Sequence, residues 1–441
     1  MRPVNVGIIG CGTVGSGVAR LLAFRAEMFA RRLGTPLYLK RVAEVDPGRM
    51  EAAGIDRRLF TFRDMDILED PDIDIVVEVI GGLETARDLV LAAIHRGKHV
   101  VTANKALLAH FGNEIFADAA RQGVEVAFEA SVCGGIPIIL TLRQGLAANR
   151  IQEVLGILNG TTNYILTQMS EHNLSYEKAL AEAQTHGFAE ADPTLDVEGI
   201  DAAHKLALLT SLAYGSRIDF PAVSVEGISR IDPVDLQFAW EFGYTVKLLA
   251  ITREDGDRLE ARVHPTLVPR DHMLASVGGA MNAVFITGDA VGPILLSGAG
   301  AGMMPTASAV VSDILDLTRN ISLGIARRVP PLGSEAALTT SRAVKPMDDI
   351  ITNYYFRFAA LDMPGVLSQV AGVLGKYNIS IAAVIQKGRE VKGAVPIVMI
   401  THEAREDDMK KALAEIDHLS VVSPPAVVYR IEDPHLHSAQ I

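Results

Sequence analysis

This chain predicts an α/β architecture in three parts: an N-terminal doubly wound parallel sheet, a central α+β unit and a C-terminal βαββαβ unit. Three observations carry the prediction. A β-rich run leads at once into a glycine-rich turn and a helix. Strands and helices then alternate to about residue 130. After a proline-containing linker the element order becomes βαββαβ. The 441 residues allow about three domains at roughly 100–200 residues each.

Composition narrows the function classes first. Hydrophobic residues make up 49% and charged residues 21%, the balance of a soluble globular protein. Lys and Arg number 41 against 53 Asp and Glu, a net charge of −12 without a basic run, which argues against nucleic acid as the main partner. Two cysteines, Cys11 and Cys133, rule out a disulfide scaffold and fit a reducing compartment. No apolar run approaches the roughly 18 residues of a membrane span. The start MRPVNVGIIG is broken by glycine too soon to be a secretory signal. A cytoplasmic protein with no membrane partner is expected.

In chain order, the first strand is read over 4–9 and the first helix over 14–24. Gly10-Cys11-Gly12-Thr13-Val14-Gly15 lies between them, the dinucleotide fingerprint GxGxxG in its strand-to-helix context. Gly10 permits the tight turn, Gly12 lets the backbone approach a pyrophosphate, and Gly15 lets helix and strand pack closely. Thr13, in the turn, and Val14, which opens the helix, are cofactor-binding candidates, and the helix N-terminus faces the phosphate charge. This Rossmann-type pattern predicts NAD or NADP. The second strand, 38–45, ends near Glu44 and Asp46, and an acid here binds the adenosine ribose and favours NAD. Gly10 to Asp46 is 36 positions, beyond the usual spacing, and a helical extension over 25–36 accounts for the excess. Arg49 could instead hold a 2′-phosphate, so both cofactors stay open. Further strands are read over 73–80, 99–101 and 124–129, with helices over 85–96 and 114–122. Gly82, Thr102 and Lys105 fall at carboxyl ends of strands, where open α/β sheets bind ligands.

In the central unit, strands are expected over 151–157, 223–227, 246–252, 258–263 and 283–287, with helices over 176–185 and 202–214. Asp201 and Lys205 are i, i+4 and share a helix face. A carbonyl reduced by hydride must also gain a proton, and a lysine whose pKa is lowered by burial can supply it. Lys105 and Lys205, meeting in one cleft, would each depress the other's pKa. Without the surrounding motifs, Asp201 and Lys205 would read as an exposed helical ion pair. Cys133 has no paired histidine and reads as a small buried residue. The 12 histidines show no metal-ligand spacing.

Five stretches resemble homoserine dehydrogenase over about 1–325: TANKALLA (102–109), EASVCGGIPII (129–139), LNGTTNYIL (158–166), GFAEADPTLDVEGIDAAHKLALL (187–209) and GAGAGMMPTASAV (298–310). The resemblance implies reversible reduction of L-aspartate 4-semialdehyde to L-homoserine with NAD(P)H. It implies Lys205 as proton donor and acceptor, and Lys105 beside substrate and nicotinamide. Glu190 becomes the ligand of the substrate amino group, with Asp196 and Asp201 as polar support. Gly302 marks the chain's return to the cofactor. A monovalent cation, Na⁺, is implied near Glu129 and the main-chain carbonyls of Val132, Gly134 and Ile136. A central sheet pairing across a homodimer, or within a homotetramer, follows by the same analogy. An aspartate kinase fused ahead of the first strand is not expected. An amino-acid dehydrogenase on the same fold is disfavoured by the Glu190, Asp201, Lys205 spacing. A non-enzymatic amino-acid sensor is disfavoured because both lysines and Glu190 are present.

The domain boundaries expected are 1–130, completed by about 298–325, for the cofactor unit, and 131–297 for the catalytic and dimerisation unit. A linker over 326–349, containing Pro330-Pro331, precedes the last unit at 350–432. That unit is read as strands over 351–360, 379–385, 394–401 and 421–430, with helices over 366–377 and 406–416. Its DMPGVL turn and YNIS step resemble an ACT domain. The resemblance implies pairing of such units and an amino-acid effector, L-threonine, acting as feedback inhibitor. Asp362 and Gly365, at a helix N-terminus, and Asn378 are the effector candidates.

Overall fold

The computed structural model describes residues 2–216, 220–334, 341–386 and 394–433. Six strands form the first sheet: β1 (Val4–Ile9), β2 (Leu37–Ala43), β3 (Phe60–Thr61), β4 (Ile75–Glu78), β5 (His99–Thr102) and β6 (Val126–Ala127). All pair in parallel, in the order β3-β2-β1-β4-β5-β6. The order reverses between β1 and β4, so the crevice beyond their carboxyl ends is the ligand site of this topology.

The helices of this unit are α1 (Thr13–Phe24), α2 (Ala26–Leu33), α3 (Pro47–Ala53), α4 (Met65–Leu68), α5 (Glu84–His95) and α6 (Lys105–Gln122). The extension expected after the first helix is a separate helix, because the backbone breaks at Arg25. Helix α6 starts nine residues earlier than its apolar spacing suggests. Asn104 caps it by accepting from the Leu107 amide at 3.0 Å. Gly112, which interrupts the pattern, lies inside the helix against Phe116. Lys105 is therefore the first residue of a helix and not part of a loop.

The central unit runs α7 (Ile138–Leu140), β7 (Ile151–Ile157), α8 (Gly160–His172), α9 (Tyr176–Thr185), α10 (Thr194–Val197), α11 (Ile200–Tyr214), β8 (Ser224–Val225) and α12 (Pro233–Glu241). It continues as β9 (Tyr244–Asp255), β10 (Arg258–Pro269), β11 (Met281–Gly288) and β12 (Gly292–Ala299). The long helix α13 (Met303–Ser322) then returns to the cofactor unit. Its contact with α1 is close: a Cβ on Gly17 would stand 2.9 Å from the Ala307 Cβ.

The C-terminal unit is β13 (Ile351–Leu361), α14 (Val366–Lys376), β14 (Ile381–Gln386), β15 (Ala394–Thr401), β16 (Ala404–Arg405), α15 (Glu406–Ile416) and β17 (Val422–Ile431). This is the expected βαββαβ order with one short added strand. Tyr354, Phe356, Phe358, Val370 and Leu374 lie in its core. The turn read at 388–393 lies outside the described residues.

The central and C-terminal units are not separate sheets. One eleven-stranded sheet contains both, in the order β12-β11-β7-β9-β10-β17-β13-β15-β14, with β8 and β16 paired to its side. The join is a short parallel pairing, Thr266 to Arg430 and Leu267 to Ile431. The segment read as a linker takes part as well: the Lys345 amide donates to the Leu259 carbonyl at 2.8 Å. Buried Asp235 on α12 accepts from the Tyr355 hydroxyl at 2.8 Å and from Arg357 at 2.6 and 2.9 Å. No helix among the described residues is long and apolar enough to cross a membrane.

Candidate active site

The glycine loop sits at the topological switch. Gly10 has φ 99°, a conformation that disfavours any side chain. A Cβ on Gly15 would collide with the Gly10 carbonyl, whereas one on Gly12 would meet nothing nearer than Arg49 Nη1 at 3.9 Å. Gly12 therefore borders open space, the room that a pyrophosphate needs, at the uncapped N-terminus of α1. The two acids after β2 both hold nearby main chain. Glu44 is buried and accepts from the amides of Cys11 (2.8 Å), Val45 (2.8 Å) and Asp46 (3.0 Å). Asp46 caps α3 through the Gly48 amide at 2.8 Å. Arg49 is the exposed cation beside the loop.

A cleft of about 410 Å³ runs between the cofactor and central units. Val14, Gly82, Asn104 and Lys105 line one wall; Glu190, Asp196, Asp201 and His204 line the other. Asp201 stands between two ammonium groups. Lys205 Nζ lies 2.6 Å from Oδ2 and Lys105 Nζ 3.0 Å from Oδ1. Lys205 also donates to the Leu158 carbonyl at 2.7 Å. Asn159 donates to Asp196 at 2.7 Å and to Asp201 at 3.0 Å. Asn282 donates to the same Leu158 carbonyl at 2.9 Å.

These contacts correct the expected pKa of Lys205. Burial pulls it down, but the groups around it, Asp201 foremost, together outweigh burial and hold the ammonium above the ordinary lysine value. Burial likewise opposes ionisation of Asp201, yet the two lysines hold its carboxyl far below the usual range. The aspartate lies between the two ammonium groups. Burial raises the Asp196 carboxyl, with the Asn159 contact opposing it. Burial, with His110 nearby, lowers His204 to about 4, so its imidazole is neutral across the ordinary pH range.

The remaining candidates divide. Glu190 lies exposed on the cleft wall. Thr102 is buried and donates to Glu78 at 2.6 Å, so its hydroxyl is not offered to the cleft. Gly302 caps α13 with φ 115° and does not line the cleft. The Glu129 carboxylate is engaged by the amides of Ile139 and Leu140, both at 2.8 Å. The Ile136 carbonyl accepts from Ile138. A cation here would rest on main-chain oxygens, chiefly those of Val132 and Gly134. The described residues hold no group of three or more His, Cys, Asp or Glu able to bind a metal. Asp362 and Gly365 precede α14 and Asn378 follows it. Eleven residues of helix, about 16 Å, separate them, so one chain does not gather the three.

Asn159, Asn282 and His204 join the site although sequence reasoning gave them no role. Two of them stood inside quoted motifs, LNGTTNYIL and DAAHKL, but nothing local shows an amide reaching a carboxylate 42 positions away.

A dinucleotide loop beside one wall, and on the other an aspartate backed by a proton-bearing lysine, make this a pyridine-nucleotide oxidoreductase cleft. Comparison with known proteins narrows the class. Residues 10–129 match the model "Homoserine dehydrogenase, NAD binding domain", 137–315 match "Homoserine dehydrogenase" and 354–419 match "ACT domain". The homoserine dehydrogenase of Neisseria gonorrhoeae is 46% identical over 435 residues, covering 99% of this chain and 100% of that one. That of Pseudomonas aeruginosa is 47% identical over 433 residues, covering 98% and 99%. The crystal structure of a homoserine dehydrogenase from Thiobacillus denitrificans superposes with a TM-score of 0.93 at 47% identity, covering 98% of this chain and 99% of that one. The chain belongs to the homoserine dehydrogenase family and is an oxidoreductase. A hyperthermophilic archaeal homoserine dehydrogenase in complex with NADPH matches at TM-score 0.61 and 28% identity, covering 72% of this chain and 98% of that one.

Proposed function

We propose that the chain catalyses the reversible reduction of L-aspartate 4-semialdehyde to L-homoserine in threonine and methionine synthesis. The observation that carries this reading is Lys205, buried and held protonated at 2.6 Å from Asp201, which lines the cleft shared with the glycine-loop unit. The dinucleotide, when bound, supplies the hydride. Lys205 gives a proton to the carbonyl oxygen as it becomes a hydroxyl, and takes one back in the oxidation direction. Asp201 keeps the lysine charged and aimed while Asn159 orients Asp201. Glu190 is placed for the substrate ammonium and Lys105 for its carboxylate, with Asp196 as polar support.

NADP(H) is the cofactor proposed, because Arg49 is exposed beside Gly12, where a 2′-phosphate would compete with its long contacts to Glu44 (4.0 Å) and Asp46 (3.7 Å). A sodium ion on the carbonyls of Val132 and Gly134 would brace the loop after Glu129, with no proton or hydride passing through it. L-threonine feedback follows from the ACT match. The separation of Gly365 from Asn378 supports a site shared by two copies, hence a homodimer or homotetramer, and β12 ends the sheet as an edge where copies could meet.

Initial rates of semialdehyde reduction with NADPH and NADH, with and without millimolar L-threonine, test the reading. Absence of nicotinamide-dependent reduction would refute the activity, and Arg49→Ser should raise KM for NADPH but not for NADH. Asp362→Ala is the better test of feedback than truncation after Pro346, since truncation would strip β17 from β10.

A further inference from the structure

A second cavity, of about 800 Å³, lies in the central unit and shares no lining residue with the catalytic cleft. Helices α8 and α12, strand β9 and the turn at Met273–Ser276 enclose it. Lys247 on β9 lines it and is 5% exposed. Its ammonium donates to the Val277 carbonyl at 2.6 Å and to Asn163 Oδ1 at 3.1 Å. Both acceptors are neutral. An ammonium carries three donors, so one N–H remains.

The contrast with Lys205 is informative. Both lysines are buried, but Lys205 has a carboxylate at 2.6 Å, whereas Lys247 has no ion-pair partner among the described residues. Burial lowers Lys247 to about 8, with Glu171 as the opposing charge. A buried ammonium without a counterion is costly, and one facing a cavity marks a binding site. The rest of the lining suits a small amphiphile. Arg270 lies over the Trp240 ring, 4.2 Å from its centroid. Leu236 and Met169 add apolar wall, and exposed Glu171 sits at the rim.

We propose that this cavity binds a small α-amino acid, its carboxylate on Lys247, its ammonium toward Glu171 and its side chain against Leu236, Met169 and Trp240. The site lies between two structures already described. Helix α12 carries Asp235, which grips the C-terminal unit, and α8 is capped by Asn159, which holds Asp201.

Trp240 is the one tryptophan of the chain, so its emission reports this cavity directly. The full-length protein is titrated with L-leucine, with L-threonine, and with 3-methylbutylamine, which is leucine without its carboxylate. A saturable change with at least one amino acid and none with the amine is expected. Lys247→Met should weaken that response by about tenfold or more, the worth of a hydrogen bond to a charged group. Lys205→Met should keep it, since Lys205 is not in this cavity. Glu171→Gln, at the exposed rim, gives a second reading should Lys247→Met fail to fold, and should weaken the amino acid but not 4-methylpentanoate. The proposal is overturned if neither amino acid gives a saturable change, if the amine responds equally, or if the variants bind as the parent does. It is also overturned if Trp240 is shielded in a manner that depends on protein concentration, which would assign the cavity to a second copy of the chain.

Discussion

Replacing Lys205 by Met tests the centre of the proposed chemistry. The substitution keeps most of the buried volume and removes the ammonium. In the parent, two of the three Nζ donors are committed, to Leu158 O at 2.7 Å and to Asp201 Oδ2 at 2.6 Å, leaving one for a substrate oxygen. Positioned proton transfer is worth about 10²–10⁴ in rate, or about 3–5 kcal/mol of barrier. The kcat for semialdehyde reduction, followed by loss of reduced-nicotinamide absorbance, should fall by that factor. The glycine loop does not touch Lys205, so dinucleotide affinity, read by nucleotide fluorescence, should be unchanged. The pH profile adds a sign. A lysine held above its ordinary value stays protonated through neutrality, so homoserine oxidation, which needs the free amine, should quicken as pH rises in the parent. The variant should lack that alkaline rise. A kcat within about tenfold of the parent, with the rise intact, would refute the assignment.

Gly12→Ala and Gly15→Ala should fail differently. The first borders open space, so the variant folds but raises KM for the dinucleotide; the second forces a side chain into the Gly10 carbonyl, so its melting temperature drops. Asp235→Ala leaves Arg357 and Tyr355 without their acceptor at a buried junction, and urea unfolding should show a loss of about 3–5 kcal/mol. His204 is lowered to about 4, so the unfolded chain binds its proton more readily, and stability falls as pH drops from about 6.5 toward 4 by up to about 3 kcal/mol. His204→Gln should flatten that part of the acid limb in pH-dependent denaturation; an identical limb would count against a neutral imidazole.

Much of the secondary structure was legible because it is set locally. The strand at 151–157, the helix at 176–185 and the strand at 394–401 fall where period and turn chemistry place them. Helix α6 was misjudged at its start because Gly112 reads as a break, while its cap depends on one side-chain contact from Asn104. Helices α8 and α12 went unread, and both turned out to wall a cavity. The linker's prolines and weak periodicity suggest a boundary and carry no sign that its main chain bonds to β10.

By itself, the sequence determined the dinucleotide turn, the shared face of Asp201 and Lys205, and the three-part order of elements, since each depends on neighbours a few positions apart. The tertiary structure alone decided three things. It placed Asp201 between two lysines from different units, and so reversed the expected pKa of Lys205. It set Glu44 against the Cys11 amide of the glycine loop, and it joined the central and C-terminal sheets at β10 and β17. The physical reason is common to all three. Charge balance and strand pairing depend on which groups come within a few ångströms after folding, and chain spacing carries no record of partners tens to more than a hundred residues away.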